Sequence, residues 1–320
     1  MSQNIINLEI KDYVIRYTEM NPKQPTQIIR FGEHFIPEGV VDGGIIVDSE
    51  LFIKVLHTCV KKWSLKRKRV RLTMPDSLVI VRKQSIPASV EKEDINRYIY
   101  FQLGDTIHLP FQKPIFETVL LKQGEDQHEV SIISTCESLV NPILKCLEKV
   151  KTKVVAVDIS PLNYYRIYYH KGKIAEEDHV LMIQYHSQNV VFCAFEKHTP
   201  IFLQQFQLTS SEGERNSFGP TMTREDFNRE EVLMEYEEIR IEIERVERFY
   251  QYSMNDGSKA FTKTIVVGDH PYLSEIIERM KERSETDLMA FTDDEIRGPK
   301  GLQVERKYHN VYGLAMKDGS

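Results

Sequence analysis

The most chemically pointed stretch of the sequence is a run of cations. Lys61, Lys62, Lys66, Arg67, Lys68 and Arg69 lie close together, with Arg71 just beyond. Such a run attracts anionic lipid headgroups or an acidic partner tail. It equally suits the soluble end of a helix, where cations face the negative end of the dipole. The 10 histidines form no HxxxH or HExxH set. His57, His108, His186 and His270 lack a recognisable partner pattern and read as ordinary core or surface residues. Cys59, Cys136, Cys146 and Cys193 are widely spaced, with no CxxC pair and no zinc spacing, so they read as buried reduced thiols. No GxSxG, Walker A or dinucleotide glycine fingerprint is present. Tyr164, Tyr165, Tyr168 and Tyr169 fall on one helix without interleaved cations, which favours core packing over base stacking.

The chain that must position these residues has 320 amino acids, enough for two domains or one two-lobed body. Its hydrophobic share of 41% supports a real core and excludes disorder of the whole chain. A formal net charge of −6 argues against a chain that wraps nucleic acid as its main task. The stretch Met1–Asn7 lacks the basic start and apolar core of a signal peptide, and no window approaches the ~20 apolar residues that span a bilayer. The expected location is the cytoplasm, with any membrane contact peripheral or through a partner.

Hydrophobic periodicity lays out the elements. Ile5–Leu8 and Val14–Tyr17 predict a hairpin around Lys11-Asp12. Ser49 is the expected N-cap of a helix with Leu51, Val55, Leu56, Cys59, Val60 and Trp63 on one face. Val70, Leu72 and Met74 alternate as a half-buried strand, and Leu78–Val81 continues or partners it. A helix follows with Ile95, Ile99 and Leu103. Residues 115–121 and 129–135 predict a hairpin, and a helix carries Leu139, Ile143, Leu144 and Leu147. Val154–Asp158, apolar without alternation, predicts a fully buried strand. Pro161 opens the tyrosine-rich helix.

The second half begins again with strands at Val180–Ile183, Val190–Phe195 and Ile201–Phe206. A polar loop is expected over 209–224, and a long helix over 225–252 with an acidic, solvated outer face. A strand (Thr264–Val267), Gly268, a helix with Leu273, Ile276, Ile277 and Met280, and a short apolar helix near Val311–Met316 complete the chain. Both halves run from a meander into helix–strand–helix units. That repeated order implies two α/β lobes of similar architecture.

Four segments, 37–48 (PEGVVDGGIIVD), 72–88 (LTMPDSLVIVRKQSIPA), 93–111 (EDINRYIYFQLGDTIHLPF) and 154–162 (VVAVDISPL), resemble the type IV pilus assembly protein PilM family, and the resemblance extends over about residues 5–316. It implies the α/β actin-like (ASKHA) two-lobed fold related to FtsA. Residues 1–170 would form the first lobe, with a small α+β subdomain inserted at about 31–114, and residues 171–320 the second.

Actin-like proteins hold ATP with backbone N–H groups of glycine-containing turns plus acids that orient Mg²⁺. At the positions the resemblance aligns, those features are eroded. Glu9 keeps an acid in the first hairpin, but Lys11 stands where glycine is expected and Tyr13 is bulky. The second hairpin reads Gln184-Tyr185-His186-Ser187, without acid or glycine. The nucleoside-side glycine turn reads Gly268-Asp269-His270, and Ser160 replaces an acid near the lobe boundary. Each lost hydrogen bond to a charged group is worth about 1.5–3 kcal/mol. The expectation is therefore no catalytic residue, no metal, no cofactor beyond at most weak Mg-ATP binding, and no hydrolysis. The counter-reading is that Lys11 supplies a phosphate contact of its own.

By the same resemblance, the chain would be a scaffold of a type IV pilus or related competence or secretion platform. It would bind the N-terminal cytoplasmic tail of a membrane-anchored PilN-like partner at Leu78, Ile80, Tyr98 and Phe101. Anionic lipid contact through the cation run and a homo-oligomer are further expectations, and no nucleic-acid partner is expected. The alternatives are an FtsA-like ATP-binding protein that assembles nucleotide-dependently and, less favoured by the motifs, a small-molecule kinase of the same superfamily.

Overall fold

Period-two alternation decides which way each strand of the first lobe faces. In β1 (Ile5–Ile10), Ile6, Leu8 and Ile10 enter an apolar core, while Asn7 and Glu9 turn to the opposite face. The same split recurs in β2 (Val14–Asn21), where Ile15 and Tyr17 join that core and Arg16 and Thr18 do not. It recurs again in β6 (Arg69–Met74), where Val70, Leu72 and Met74 oppose Arg71 and Thr73. One face of the sheet is thus greasy and the other polar, and the polar face becomes the wall of the interlobe cleft. The description comes from a computed structural model covering residues 5–21, 24–111, 113–208, 222–284, 286–292 and 296–317.

The first-lobe sheet has the order β10-β6-β1-β2-β3, with β3 at Gln24–Phe35 and β10 at Lys153–Ile159. Its apolar face is covered by α1 (Ser49–Trp63) and α3 (Glu137–Lys149). A small hairpin, β4 (Val41–Asp42) with β5 (Ile45–Ile46), precedes α1. The cap of α1 is Asp48 rather than Ser49: its carboxylate accepts from the backbone N–H groups of Glu50 and Leu51 at 3.0 and 2.9 Å. The 154–158 segment is less buried than its composition suggests. It is the outer strand of the sheet, paired only to β6, and Val157 is 37% exposed.

The expected inserted unit over 31–114 is divided. Residues 31–35 and 69–74 are strands of the first-lobe sheet, and 49–63 is the helix packed on it. The part with its own apolar core lies between β6 and α3. It comprises β7 (Ile80–Pro87), α2 (Ile95–Gln102), β8 (Pro114–Lys122) and β9 (Gln127–Cys136), in the strand order β7-β9-β8. Alternation in β6 did not reveal this, because a parallel central strand and an insertion strand look alike over six residues.

The second lobe repeats the first. Its sheet runs β15-β14-β11-β12-β13, built from β11 (Val180–Tyr185), β12 (Asn189–Glu196), β13 (Thr199–Gln207), β14 (Lys263–Gly268) and β15 (Asp287–Met289). In both sheets the first strand pairs antiparallel to the second and parallel to the fourth. The single pair Phe202–Arg82 joins β13 to β7, so the inserted unit extends the second sheet. The long helix is shorter than expected. α5 (Arg229–Arg248) begins at an Asn228 cap and ends in a widened turn, Phe249–Ser253, while α6 spans Leu273–Lys281. The polar loop expected over 209–224 lies mostly outside the described residues, apart from a capped turn at Arg224–Asp226.

Two helices tie the lobes together. α4 (Ser160–His170) leaves the first sheet at β10, and α7 (His309–Ala315) returns from the second lobe onto the polar face of the first. They cross at Gly313, where a Cβ would sit 1.9 Å from the Asn163 carbonyl oxygen. Only glycine lets the two backbones approach this closely. Thr18 Oγ1 donates to the Val311 carbonyl at 2.9 Å, and Arg71 Nη1 to that of Ala315 at 2.8 Å. Gly313→Ala must therefore separate the helices, and overpacking of this kind costs about 1–3 kcal/mol or more. Chemical denaturation should show at least that loss; an unchanged midpoint would mean the helices do not cross here.

Candidate functional site: the interlobe cleft

A carboxylate, Asp269, sits at the centre of the cleft with its side chain fully buried. It follows Gly268 at the end of β14, where a glycine is required by strand packing. The backbone has φ +136°, and a Cβ would lie 2.0 Å from the Tyr185 carbonyl oxygen of neighbouring β11. The close approach that a phosphate would need from this glycine is already used by a strand.

First-lobe groups converge on Asp269. Arg16 Nη1 bonds Oδ2 directly, Tyr13 OH donates to it at 2.6 Å, and Lys11 Nζ lies at 3.4 Å. From the second lobe, His186 Nδ1 lies 2.8 Å from Oδ1. The same ring nitrogen is 2.8 Å from Lys11 Nζ, and the tautomer decides which of the two it bonds. Burial raises the Asp269 carboxyl, but the charges of Lys11, Arg16 and His186 outweigh it and hold the group well below its ordinary value. Burial and the Asp269 charge both push the Tyr13 phenol up, which keeps it a neutral donor. Arg16 is only 1% exposed and also pairs with Glu33 at 3.1 Å and Glu9 at 3.8 Å. Removing one partner of such a buried set leaves an uncompensated charge, at a cost of about 3–5 kcal/mol.

Two further polar chains seal the cleft. Ser160 Oγ lies 2.5 Å from Asp76 Oδ1 and 2.7 Å from Gln184 Oε1, linking both lobes at the start of α4. Burial pushes the Asp76 carboxyl up from its ordinary value, against the opposing Ser160 hydrogen bond. Asn163 Nδ2 donates to Thr73 Oγ1 at 2.9 Å and to Asn310 Oδ1 at 2.8 Å, and Asn310 in turn donates to Glu9. Asp12 accepts from the backbone N–H groups of Gly43 and Gly44 at 2.7 and 2.8 Å, so that glycine turn also holds a carboxylate of the chain itself.

Between these chains the open space is small. The cavity bounded by Glu9, Lys11, Tyr13, Asp76, Ser160 and His186 has a volume of about 40 Å³. Ligand pockets run to about 300–1,000 Å³, so this cavity is small beside them. The cleft can bind charge firmly, but it spends that capacity on its own side chains.

The structure brings Glu9, Lys11, His186 and Asp269 into this one cluster. Gln184 is buried on the second-lobe wall, and Gly268 packs against the Tyr185 backbone beside it. Sequence reading missed Arg16, Glu33, Asp76, Asn163 and Asn310. For Arg16 a signal existed: Glu9 and Arg16 face each other across the β1–β2 hairpin, equally far from its turn.

The expected docking residues do not share one surface. Leu78 is 3% exposed within the first-lobe core, so a charge there would test folding rather than docking. Ile80 and Tyr98 are half-buried, and Phe101, 66% exposed, stands beside the equally exposed Tyr100. In the cation run, Lys61, Lys62, Lys66, Arg67 and Arg69 are exposed at and beyond the end of α1. Lys68 pairs with buried Glu19 at 3.4 Å, and Arg71 is engaged by α7. All four cysteines are free and buried. Among the described residues no helix is long and apolar enough to cross a membrane, and no cluster of three or more metal-binding side chains occurs.

His270, beside this cluster, makes the fold sensitive to mild acid. Burial lowers its pKa to about 4, and its Nδ1 accepts from the Tyr272 backbone N–H at 3.1 Å, which requires an unprotonated nitrogen. The unfolded chain takes up this proton below about pH 6.5, so stability falls as pH drops from there towards about 4. His34 and His179 are lowered too, and add to the same trend. His270→Gln keeps an acceptor but cannot titrate. Urea unfolding at pH 7.5 and 4.5 should show the parent losing about 2 kcal/mol more than this variant. Equal losses would show that His270 is not held neutral.

No protein-family model and no curated protein matches the chain. Solved structures do. A chain of the PilM–PilN type IV pilus biogenesis complex superposes with a TM-score of 0.72 at 14% identity, covering 99% of this chain and 98% of that one. The ethanolamine utilization protein EutJ from Carboxydothermus hydrogenoformans gives 0.53 at 9% identity, covering 99% and 90%. MreB5 of Spiroplasma citri bound to ADP gives 0.51 at 9% identity, covering 99% and 96%. The duplicated sheet order, the crossing helices and these full-length superpositions establish that the chain has the two-lobed actin-like fold, the fold to which its PilM-like segments pointed.

Proposed function

We propose that this chain is a non-hydrolysing scaffold of a type IV pilus or related assembly platform. It would work in the cytoplasm at the inner face of the cell membrane and grip the N-terminal cytoplasmic tail of a PilN-like membrane protein. The observation that carries the reading is the cleft: it is closed by a buried ion cluster and retains about 40 Å³, while the whole chain follows the shape of a PilM–PilN complex chain. A cleft bridged in this way would give a body of fixed shape whose use lies on its surface.

The surface offers two features for this role. Tyr100 and Phe101 stand exposed on α2, with Arg97 5.9 Å over the Phe101 ring, and would bury apolar side chains of an extended tail. The exposed cations after α1 would rest against anionic headgroups, each worth about 1 kcal/mol near such a surface. Nucleotide-dependent assembly is the competing reading, since the fold is shared with an ADP-bound protein.

Calorimetry with Mg-ATP should show no heat of binding, and sedimentation should not change with nucleotide. A synthetic PilN-type tail should bind, and Phe101→Glu should weaken it at least tenfold with the thermal midpoint unchanged. Micromolar Mg-ATP affinity, or assembly that needs nucleotide, would replace this reading with the competing one. Tail binding untouched by Phe101→Glu would remove α2 from the docking surface.

A further inference from the structure

The groups around Asp269 form a set that ordinarily recognises a small anion. An ammonium and a phenol from the β1–β2 turn, a guanidinium from β2 and an imidazole from the β11–β12 turn converge on one carboxylate. Arg16 and Tyr13 are buried, at 1% and 6% exposure, so neither spends its charge or donor on water. In low dielectric such donors are strong and costly to leave unpaired. Three of the four come from the first lobe, whereas Asp269 belongs to the second. Satisfying them therefore requires the lobes to be together.

We infer that Lys11, Arg16, Tyr13 and His186 constitute an oxyanion site whose resident ligand is the chain's own Asp269 carboxylate, so that lobe closure comes built in and needs no external anion. The site differs in kind from one made of glycine-turn N–H groups, because its donors are side chains and its occupant is covalently attached. Attachment supplies a high effective concentration and removes most of the entropy cost of binding. The Asp12 carboxylate on the Gly43 and Gly44 N–H groups is a second, smaller instance of self-occupation. Access exists from one side. Arg16, Gly268 and Asp269 line a separate solvent-open pocket of about 180 Å³, with Arg306 and Lys307 among its walls and Glu33 and Glu305 opposing them. An anion that replaced the Asp269 carboxylate could enter there.

The inference rests on the closed cleft of the proposed function and not on tail docking, so the two stand or fall by different measurements. The test is chemical rescue in the full chain. Asp269→Ala removes the resident anion and should lower the thermal midpoint by several degrees. Formate, acetate, inorganic phosphate and pyrophosphate are then titrated at ionic strength matched with sodium chloride. At least one should restore half or more of the loss along a saturating curve, while chloride does not and the parent protein gains nothing beyond the chloride control. Rescue by formate and acetate alone would define a carboxylate-sized site, and rescue by phosphate a larger one; either supports the assignment. Adding Arg16→Met to Asp269→Ala should abolish the rescue. If Asp269→Ala is recovered only unfolded, Asp269→Ser carries the same titration. No anion-specific stabilisation in the variant that folds, or in either, or equal stabilisation of the parent, overturns the inference.

Discussion

The contact between Arg16 and Asp269 is the constraint from which the interlobe arrangement follows. A buried guanidinium needs a buried anion, and the nearest acids of its own lobe, Glu33 and Glu9, are shared or more distant. Its Nε bonds Glu33 of its own lobe, and its Nη1 meets Asp269 of the other. Buried ion sets give uncertain net stability because desolvation opposes attraction, but they punish any geometry that separates the charges. The consequence is orientation: one relative placement of the lobes satisfies Arg16, Lys11, Tyr13 and His186 together.

The rest of the cleft is consistent with that placement. Gly313 lets α7 touch the backbone of α4, and Gly268 lets β14 lie against β11. Both glycines serve contacts between parts of the chain. The Ser160 and Asn163 hydrogen bonds lie along α4, the segment that connects the two lobes. Side chains from both lobes bridge the cleft, so this closed shape is held by the sequence itself. For the proposed scaffold this would be a physical advantage, because a partner's surface would be presented without a conformational cost that varies with nucleotide level.

Much of this architecture was legible in the residues. The two meanders, the tyrosine helix and the apolar faces of α1 and α3 follow from periodicity, because burial on one side writes itself into every second or every third and fourth residue. The oddities at Lys11, His186 and Asp269 were visible as departures from the glycine turns of the resembled family, yet their meeting was not, since their contacts span 175 and 258 positions. The strand β10 misled because an apolar run does not say whether it has one neighbour or two. The inserted unit that the resemblance implies over 31–114 begins only after β6, whose parallel partners β1 and β10 hold it in the first-lobe sheet. The docking wall implied by the resemblance includes Leu78, but the short turn after β6 buries this leucine in the first-lobe core.

The chain's own charges close the lobes on each other. The most direct test measures the distance between them. The native cysteines are buried, so spin labels at Thr58→Cys on α1 and Glu278→Cys on α6, both exposed sites, report the interlobe separation by pulsed electron resonance. Closure by these charges should give one narrow distance distribution without nucleotide that does not move when Mg-ATP is added. A broad distribution that narrows or shifts with Mg-ATP would contradict it.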